Sequence, residues 1–316
     1  MSSAVLLLAH GTVDDLDDLP AFLTQIRRGQ APPPELVREV RHRHEAIGGR
    51  SPLNAINRSL AKKLEARLRV PVRLGNRLWR PSPKEALAEL AAAGACRVIA
   101  LALAQHSSHV YAEAARKAAE ELAAETGREK MQIAAIGNWG SVPALLDLQA
   151  ALVREGLAAV PEAERPRTAL LLSAHSLPKH VVEAGDPYER EVRAAAAGVA
   201  ERVKDVLPRA FVAFQSQGLA QGPGGRPMPW LGPDLPAALD AIAAAGCTHV
   251  LAAPVGFLAD HVEILYDIDV EARAWAKERG LELFRAPSPN DAEAMIGVLS
   301  ALIEPMLRGD GSRSEG

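Results

Sequence analysis

Near the end of the chain, in PVGFLADHVEILYDIDVEAR (residues 254–273), three of the five carboxylates form a regular row close to an imidazole. Glu263, Asp267 and Glu271 stand at i, i+4 and i+8. On an α-helix these positions lie roughly on one face and span about 12 Å of axis. His261 precedes the first of them by two residues. Like charges at this spacing repel by a few tenths of a kcal/mol per pair in water, and by more when buried. A solvated acidic stripe is the plain explanation of such a row. Two features point elsewhere: Ile264, Leu265 and Ile268 occupy the other faces, and an apolar run, VLAAPVGF, leads into the segment as a buried strand would. In open α/β sheets ligands bind at the carboxyl ends of strands. Hard oxygen ligands beside an imidazole at such a place suit a divalent cation or a proton path.

Other histidines invite the same question. In SAHSLP, an apolar run delivers His175 into a Ser-Leu-Pro turn, which fixes the ring and turns it toward a crevice; the competing reading is a core histidine satisfied by backbone. In HSSH, His106 and His109 stand at i, i+3, a spacing that could bind metal or be a non-working copy of the true site. His42 and His44 lie in HRHEAIGG, which lacks the H-E-x-x-H of a zinc protease and reads first as helix surface. No G-x-G-x-x-G follows the first strand, and neither a phosphate-binding G-x-x-x-x-G-K-[ST] nor a G-x-S-x-G elbow occurs.

The elements that must position these groups alternate between strand and helix. Residues 4–9, 70–78, 96–104, 131–137, 168–173, 210–218, 249–257 and 281–287 are apolar runs predicted as strands, the first without polar alternation and so buried on both faces. Helical patterns separate them, at 33–47, 53–69, 83–93, 109–126, 141–155, 188–207, 235–245 and 290–307. Such alternation gives doubly wound parallel sheets. An internal echo organises the whole. LAAAGACRVIALALAQHSSH (90–109) resembles IAAAGCTHVLAAPVGFLADH (242–261), pairing Gly94 with Gly246 and His109 with His261 at a constant offset of 152. AVLLLAHGT (4–12) more loosely resembles TALLLSAHSLP (168–178), placing His10 opposite His175. Two echoes in the same order indicate duplicated half-molecules. The polar, Pro-containing EGLAAVPEAERPRT near 150–166 marks the expected boundary: 1–155 for the first half, 156–308 for the second, and 309–316 as a disordered tail. The Gly/Pro-rich 218–230 is expected to be an exposed loop.

Bulk properties exclude several classes. With 316 residues the chain is long enough for two domains, 48 % of it is hydrophobic, and mean hydropathy is near zero. A net charge of −3 leaves no nucleic-acid footprint. No apolar run approaches the roughly 18 residues of a membrane span, and the acidic DDLDDLP argues against an anchor near the start. Cys96 and Cys247 are the only cysteines and form no C-x-x-C, so neither a zinc knuckle nor a four-cysteine iron–sulfur cluster is expected, and the default compartment is a reducing cytoplasm.

Taken together, SAHSLP, IRRG, EAIGGRSPL, FQSQG, PWLGPD and PVGFLADHVEILYDID make the chain resemble the ferrochelatases, which insert Fe²⁺ into a porphyrin late in haem synthesis. The resemblance runs from about residue 4 to residue 290 and is nearest to the soluble, monomeric bacterial enzymes, coproporphyrin-type ones included. It implies two flavodoxin-like domains with a porphyrin cleft between them, no tightly bound cofactor, and ferrous iron and a porphyrin as substrates. It assigns metal binding and porphyrin deprotonation to His175, paired with Glu263, and makes Asp267 and Glu271 an acidic path for metal or protons. A π-type turn is implied in the same segment. The porphyrin contacts implied for the first half are Arg27, Arg43, His44 and Ser51, with His10 standing where the family often has a metal-facing Tyr. Other departures are His44 for a common Tyr, Gln105-His106-Ser107-Ser108 for PHxS, and Gly140 after Trp139 where a Tyr is frequent. An imidazole at position 10 is also reminiscent of cobalt chelatases acting on sirohydrochlorin, and a tetrapyrrole carrier without chemistry is the alternative outside enzymes. Protoporphyrin IX and coproporphyrin III both carry propionates that Arg27 and Arg43 could hold by charge-assisted hydrogen bonds.

Overall fold

The apolar run after Ser3 lacks polar alternation because both its faces are covered. In the computed structural model, which describes residues 2–127, 129–217 and 228–309, Ala4 through Ala9 are each at most 3 % exposed. This strand, β1 (Ser3–Ala9), is joined in parallel by β2 (Val72–Asn76) on one side and β3 (Arg97–Ala102) on the other. β4 (Gln132–Ala135) adds to β3, giving the order β2-β1-β3-β4. Ala4, Leu6 and Leu8 pack with Leu87 and Leu90 of the helix Pro83–Ala92 and with Ala115 and Ala119 of Ser108–Thr126. Fully burying each such leucine stabilises by about 1.5–3 kcal/mol. The helix Pro83–Ala92 begins where the sequence says it should: Ser82 and Glu85 form a reciprocal capping box, with Pro83 at the first position.

The same order returns in the second sheet. β5 (Thr168–His175) lies between β6 (Ala210–Gln215) and β7 (His249–Ala253), and β8 (Glu282–Arg285) completes β6-β5-β7-β8, again all parallel. The duplicated α/β architecture expected from the two echoes is therefore present. β1 and β5 occupy the same place in their sheets, so His10 and His175 stand at equivalent strand ends. Leu170 and Leu172 face the helices Pro143–Leu157 and Tyr188–Val203; Ala169 and Leu171 face Leu235–Ala244 together with Ile268, Ala272 and Ala276.

The chain divides into two units, Met1–Trp139 with the segment beginning at Asn290, and Gly140–Pro289. This differs from the division at 155/156 expected from the sequence. The helix Pro143–Leu157, assigned there to the first half, contributes Leu146, Ala150, Val153 and Leu157 to the core of the second unit. Leu146 fits against Gly198, where an added Cβ would stand 2.8 Å from its Cδ1, and Gly156 lies against Ala286. The last helix, Glu293–Arg308, packs instead on Leu53–Leu68 of the first unit, and Arg97 donates to the Met306 carbonyl. The polar linker thus follows the helix that changes units and does not mark the change itself. The expected loop 218–230 lies mostly, and the expected tail 309–316 beyond Gly309, outside the described residues. Among the described residues no helix is long and apolar enough to cross a membrane.

Candidate active site

His175 is the last residue of β5, paired in register with Gln215 of β6. Its Nδ1–H donates to the Ser176 carbonyl and its own carbonyl accepts from Tyr188 Oη at 2.8 Å. Ser176 is buried and held twice, by its amide to the Gln215 carbonyl at 2.7 Å and by its hydroxyl to the Leu231 carbonyl at 2.9 Å. The ring is therefore fixed in orientation and, since a carbonyl can only accept, in tautomer. The neutral imidazole presents a lone pair at Nε2.

That nitrogen faces Glu263 Oε2 at 3.7 Å. His261 approaches the same oxygen, its Nε2 at 3.5 Å, while its Nδ1–H donates to the Ala259 carbonyl at 2.9 Å. One carboxylate oxygen thus stands between two imidazole nitrogens whose other nitrogens are both committed to backbone. Without a proton among them, two lone pairs would oppose an anion. Burial disfavours the His261 imidazolium, but the hydrogen bond and charge of Glu263, the Ala259 carbonyl and the charge of Asp267 outweigh it, and its pKa is raised above the ordinary 6.5. Phe257 covers the ring of His261, with centroids 5.0 Å apart.

The acidic segment is not a plain α-helix. A short helix, Val262–Tyr266, passes into a π-helical turn, Asp267–Ala272, and then into Arg273–Glu278. The turn that the family resemblance implied is present, and such wide turns are frequent at functional sites. Ile268 and Ala272 anchor it to the sheet. Asp267 is 3 % exposed and accepts from the Ser216 hydroxyl, while Glu263 and Glu271 are half-buried. Ser216 holds a left-handed backbone (φ 58°) directly after β6 to make that contact. Gln215 accepts from Ser173 at 2.7 Å and donates to the Glu263 carbonyl at 3.3 Å, bracing the glutamate from the sheet. Among the described residues no three His, Cys, Asp or Glu side chains form a group that could hold a metal ion. His175 and Glu263 come together as a pair, and Asp267 and Glu271 follow along the helix without joining them in one chelating cluster.

All four of these residues belong to the second unit; the five expected to contact porphyrin belong to the first. His10 is exposed just beyond β1, its Nδ1 3.4 Å from Tyr111 Oη. Arg27 ends the helix Leu19–Ile26 and has a buried Nε with no hydrogen-bond partner among the described residues. Arg43, half-buried, pairs with Glu39 at 2.6 Å. His44 is 2 % exposed; Nδ1–H donates to the Val40 carbonyl at 2.8 Å, and burial lowers its pKa despite that bond. Ser51 is buried beside the Leu53 amide. Of the HSSH pair, His106 is buried and His109 exposed. Burial drives the His106 pKa down to about 4. Gln215, Ser216 and Tyr188 were not singled out by sequence reasoning. FQSQG was a usable motif for the first two; Tyr188, thirteen residues from the carbonyl it holds, gave no local signal.

Comparison with known proteins bears on this geometry. The ferrochelatase family model matches residues 2–307. A ferrochelatase of Herpetosiphon aurantiacus is 36 % identical over 95 % of this chain and 98 % of its own. A coproporphyrin III ferrochelatase of Geobacillus kaustophilus is 35 % identical over 99 % of each. Among solved structures, SirB of Bacillus subtilis with Fe³⁺ is similar at a TM-score of 0.61 over 99 % of this chain and 98 % of that one; at 12 % identity it shows the fold alone. With a family match over nearly its whole length, and relatives above 30 % identity spanning both units, the chain belongs to the ferrochelatase family and is a porphyrin metal chelatase.

Proposed function

We propose that the enzyme inserts Fe²⁺ into a propionate-bearing porphyrin, protoporphyrin IX or coproporphyrin III, as a cytoplasmic monomer, with His175 and Glu263 at the chemistry. Relatives named for ferrochelatase and for coproporphyrin III ferrochelatase support that substrate class. The observation that carries the reading is the fixed Nε2 of His175 facing a carboxylate that a second imidazole also approaches. Metal insertion requires two pyrrole N–H protons to leave a planar ring as the cation enters. An imidazole lone pair of set direction is suited to take the first. Glu263 then receives or steers the charge, and His261, with its raised pKa, is a holding place for a proton that must leave before the second is taken. Asp267 and Glu271 continue the acidic row and serve as a path for cation or proton. Arg27, Arg43, His44, Ser51 and His10 are the proposed porphyrin contacts, the two arginines holding propionates. Binding the ring bent would expose the pyrrole lone pairs, with the strain drawn from those remote contacts.

Steady-state kcat/KM for Fe²⁺ insertion into protoporphyrin IX and coproporphyrin III tests the proposal. Multiple turnovers with one or both support it. Stoichiometric binding that stops without turnover, or turnover only with cobalt and sirohydrochlorin, would overturn it.

A further inference from the structure

Arg285 closes β8 and lies beside Ala252 of β7 in the sheet. Its side chain is 15 % exposed, and it is shared between two carboxylates. Nη1 donates to Asp260 Oδ1 at 2.9 Å; Nε donates to both oxygens of Asp269, at 2.9 and 3.0 Å. Ser288 adds a hydroxyl donor to Asp260 at 2.7 Å. Among the described residues Arg273 also approaches Asp269, 3.9 Å away and half-exposed, a pairing that contributes little.

The two aspartates bracket the reactive segment. Asp260 immediately precedes His261, and Asp269 lies in the π turn two residues beyond Asp267. The segment between them has little stiffness of its own. Val262–Tyr266 is a five-residue helix whose capping residue, His261, makes no side-chain cap bond, and the turn that follows is π-type. Where Glu263 sits therefore depends on ties to the sheet. The Gln215 bond is long and neutral at 3.3 Å, and the Ser216 hydroxyl and the packing of Ile268 hold only the far half of the segment; the Arg285 bonds are charged, and they act at both ends.

We propose that Arg285 is a positioning residue for metal insertion: one guanidinium clamps residues 260 and 269 and so sets the Glu263 carboxylate opposite His175. A planar fork of fixed donor directions holds two acceptors at a set separation, which a lysine ammonium cannot reproduce. This inference rests on the reading that His175 and Glu263 perform the chemistry.

Arg285→Met, Arg285→Lys and His175→Ala are compared by steady-state metal insertion, porphyrin titration and thermal melting. Arg285→Met is expected to lower kcat by about tenfold or more while porphyrin Kd stays within about twofold, the pattern of a displaced reacting group. Arg285→Lys, which keeps the charge, recovers only part of the loss. A merely structural role would lower the melting temperature and the active fraction but leave kcat per folded molecule unchanged. If Arg285→Met does not fold, Asp269→Asn and Ser288→Ala each loosen one end and should lower kcat by about threefold or more at unchanged porphyrin Kd. Unchanged kcat in the folded variants, full recovery by Arg285→Lys, or a rise in porphyrin Kd matching the fall in kcat overturns the clamp. Retained turnover in His175→Ala would instead bring down the underlying reading.

Discussion

Gly256 follows β7 on the way to Asp260 and His261, and its amide donates to the Ser173 carbonyl at 3.0 Å. The absence of a side chain there is a spatial requirement. A Cβ at this position would lie 2.3 Å from Ala174 Cβ and 2.6 Å from Ala174 Cα. Non-bonded carbons rest at about 3.5 Å or more, so Gly256→Ala must separate the two backbones by about 1.2 Å (3.5 − 2.3). Neither side can turn away, because the atoms met are backbone and the first side-chain carbon. Ala174 carries the next residue, His175, and the loop from Gly256 carries Glu263, so the separation falls on the 3.7 Å His175–Glu263 pair. Overpacking of this kind costs roughly 1–3 kcal/mol of stability. With His175 and Glu263 at the chemistry, as proposed, a displacement near 1 Å between them costs about 10²-fold in rate, equivalent to about 2.7 kcal/mol on the barrier. The assay is spectrophotometric metal insertion at saturating porphyrin, with a melting curve to establish folding. A folded Gly256→Ala enzyme with kcat within about twofold of the parent would refute the argument that this contact sets the site.

One further outcome concerns the acidic row and another a buried histidine of the first unit. Glu263→Gln should lower turnover far more than Asp267→Asn or Glu271→Gln, which should slow it moderately with porphyrin affinity kept; equal effects in steady-state insertion would leave the acidic row no path function. His106, buried with its pKa lowered to about 4, makes stability fall with acid. Above about pH 6.5 both states are neutral and stability is full; between there and about pH 4 only the unfolded chain takes the proton, a loss of about 3 kcal/mol (2.5 × 1.36). Urea unfolding at pH 7 and pH 4.5 should show that extra acid sensitivity in the parent but not in His106→Leu, and parallel pH dependence in the two would count against it.

The strands and the duplication were legible because buried parallel strands leave uninterrupted apolar runs, and two such runs repeated their surroundings, down to Gly94 and Gly246, both with positive φ. A strand end and a motif single out His175 and Glu263 in the sequence, and the two side chains stand 3.7 Å apart. The partition of helices between units was not, since the apolar stripe of Pro143–Leu157 matches either half and only packing against Gly198 and Ala286 decides. Local pattern also could not tell that His44, on a polar helix, turns inward while His42 stays exposed. Long-range supports such as Tyr188 on His175, or Arg285 on Asp260 and Asp269, depend on residues 13 to 25 apart along the chain and leave no periodic trace.

The central claim is that the His175 imidazole takes a porphyrin proton as the metal enters. His175→Ala, folded by circular dichroism and assayed for both porphyrin binding and iron insertion, tests it most directly. The account predicts that porphyrin still binds with affinity within a few-fold of the parent while insertion falls by at least about 10²-fold. Retained turnover in the folded variant would contradict it.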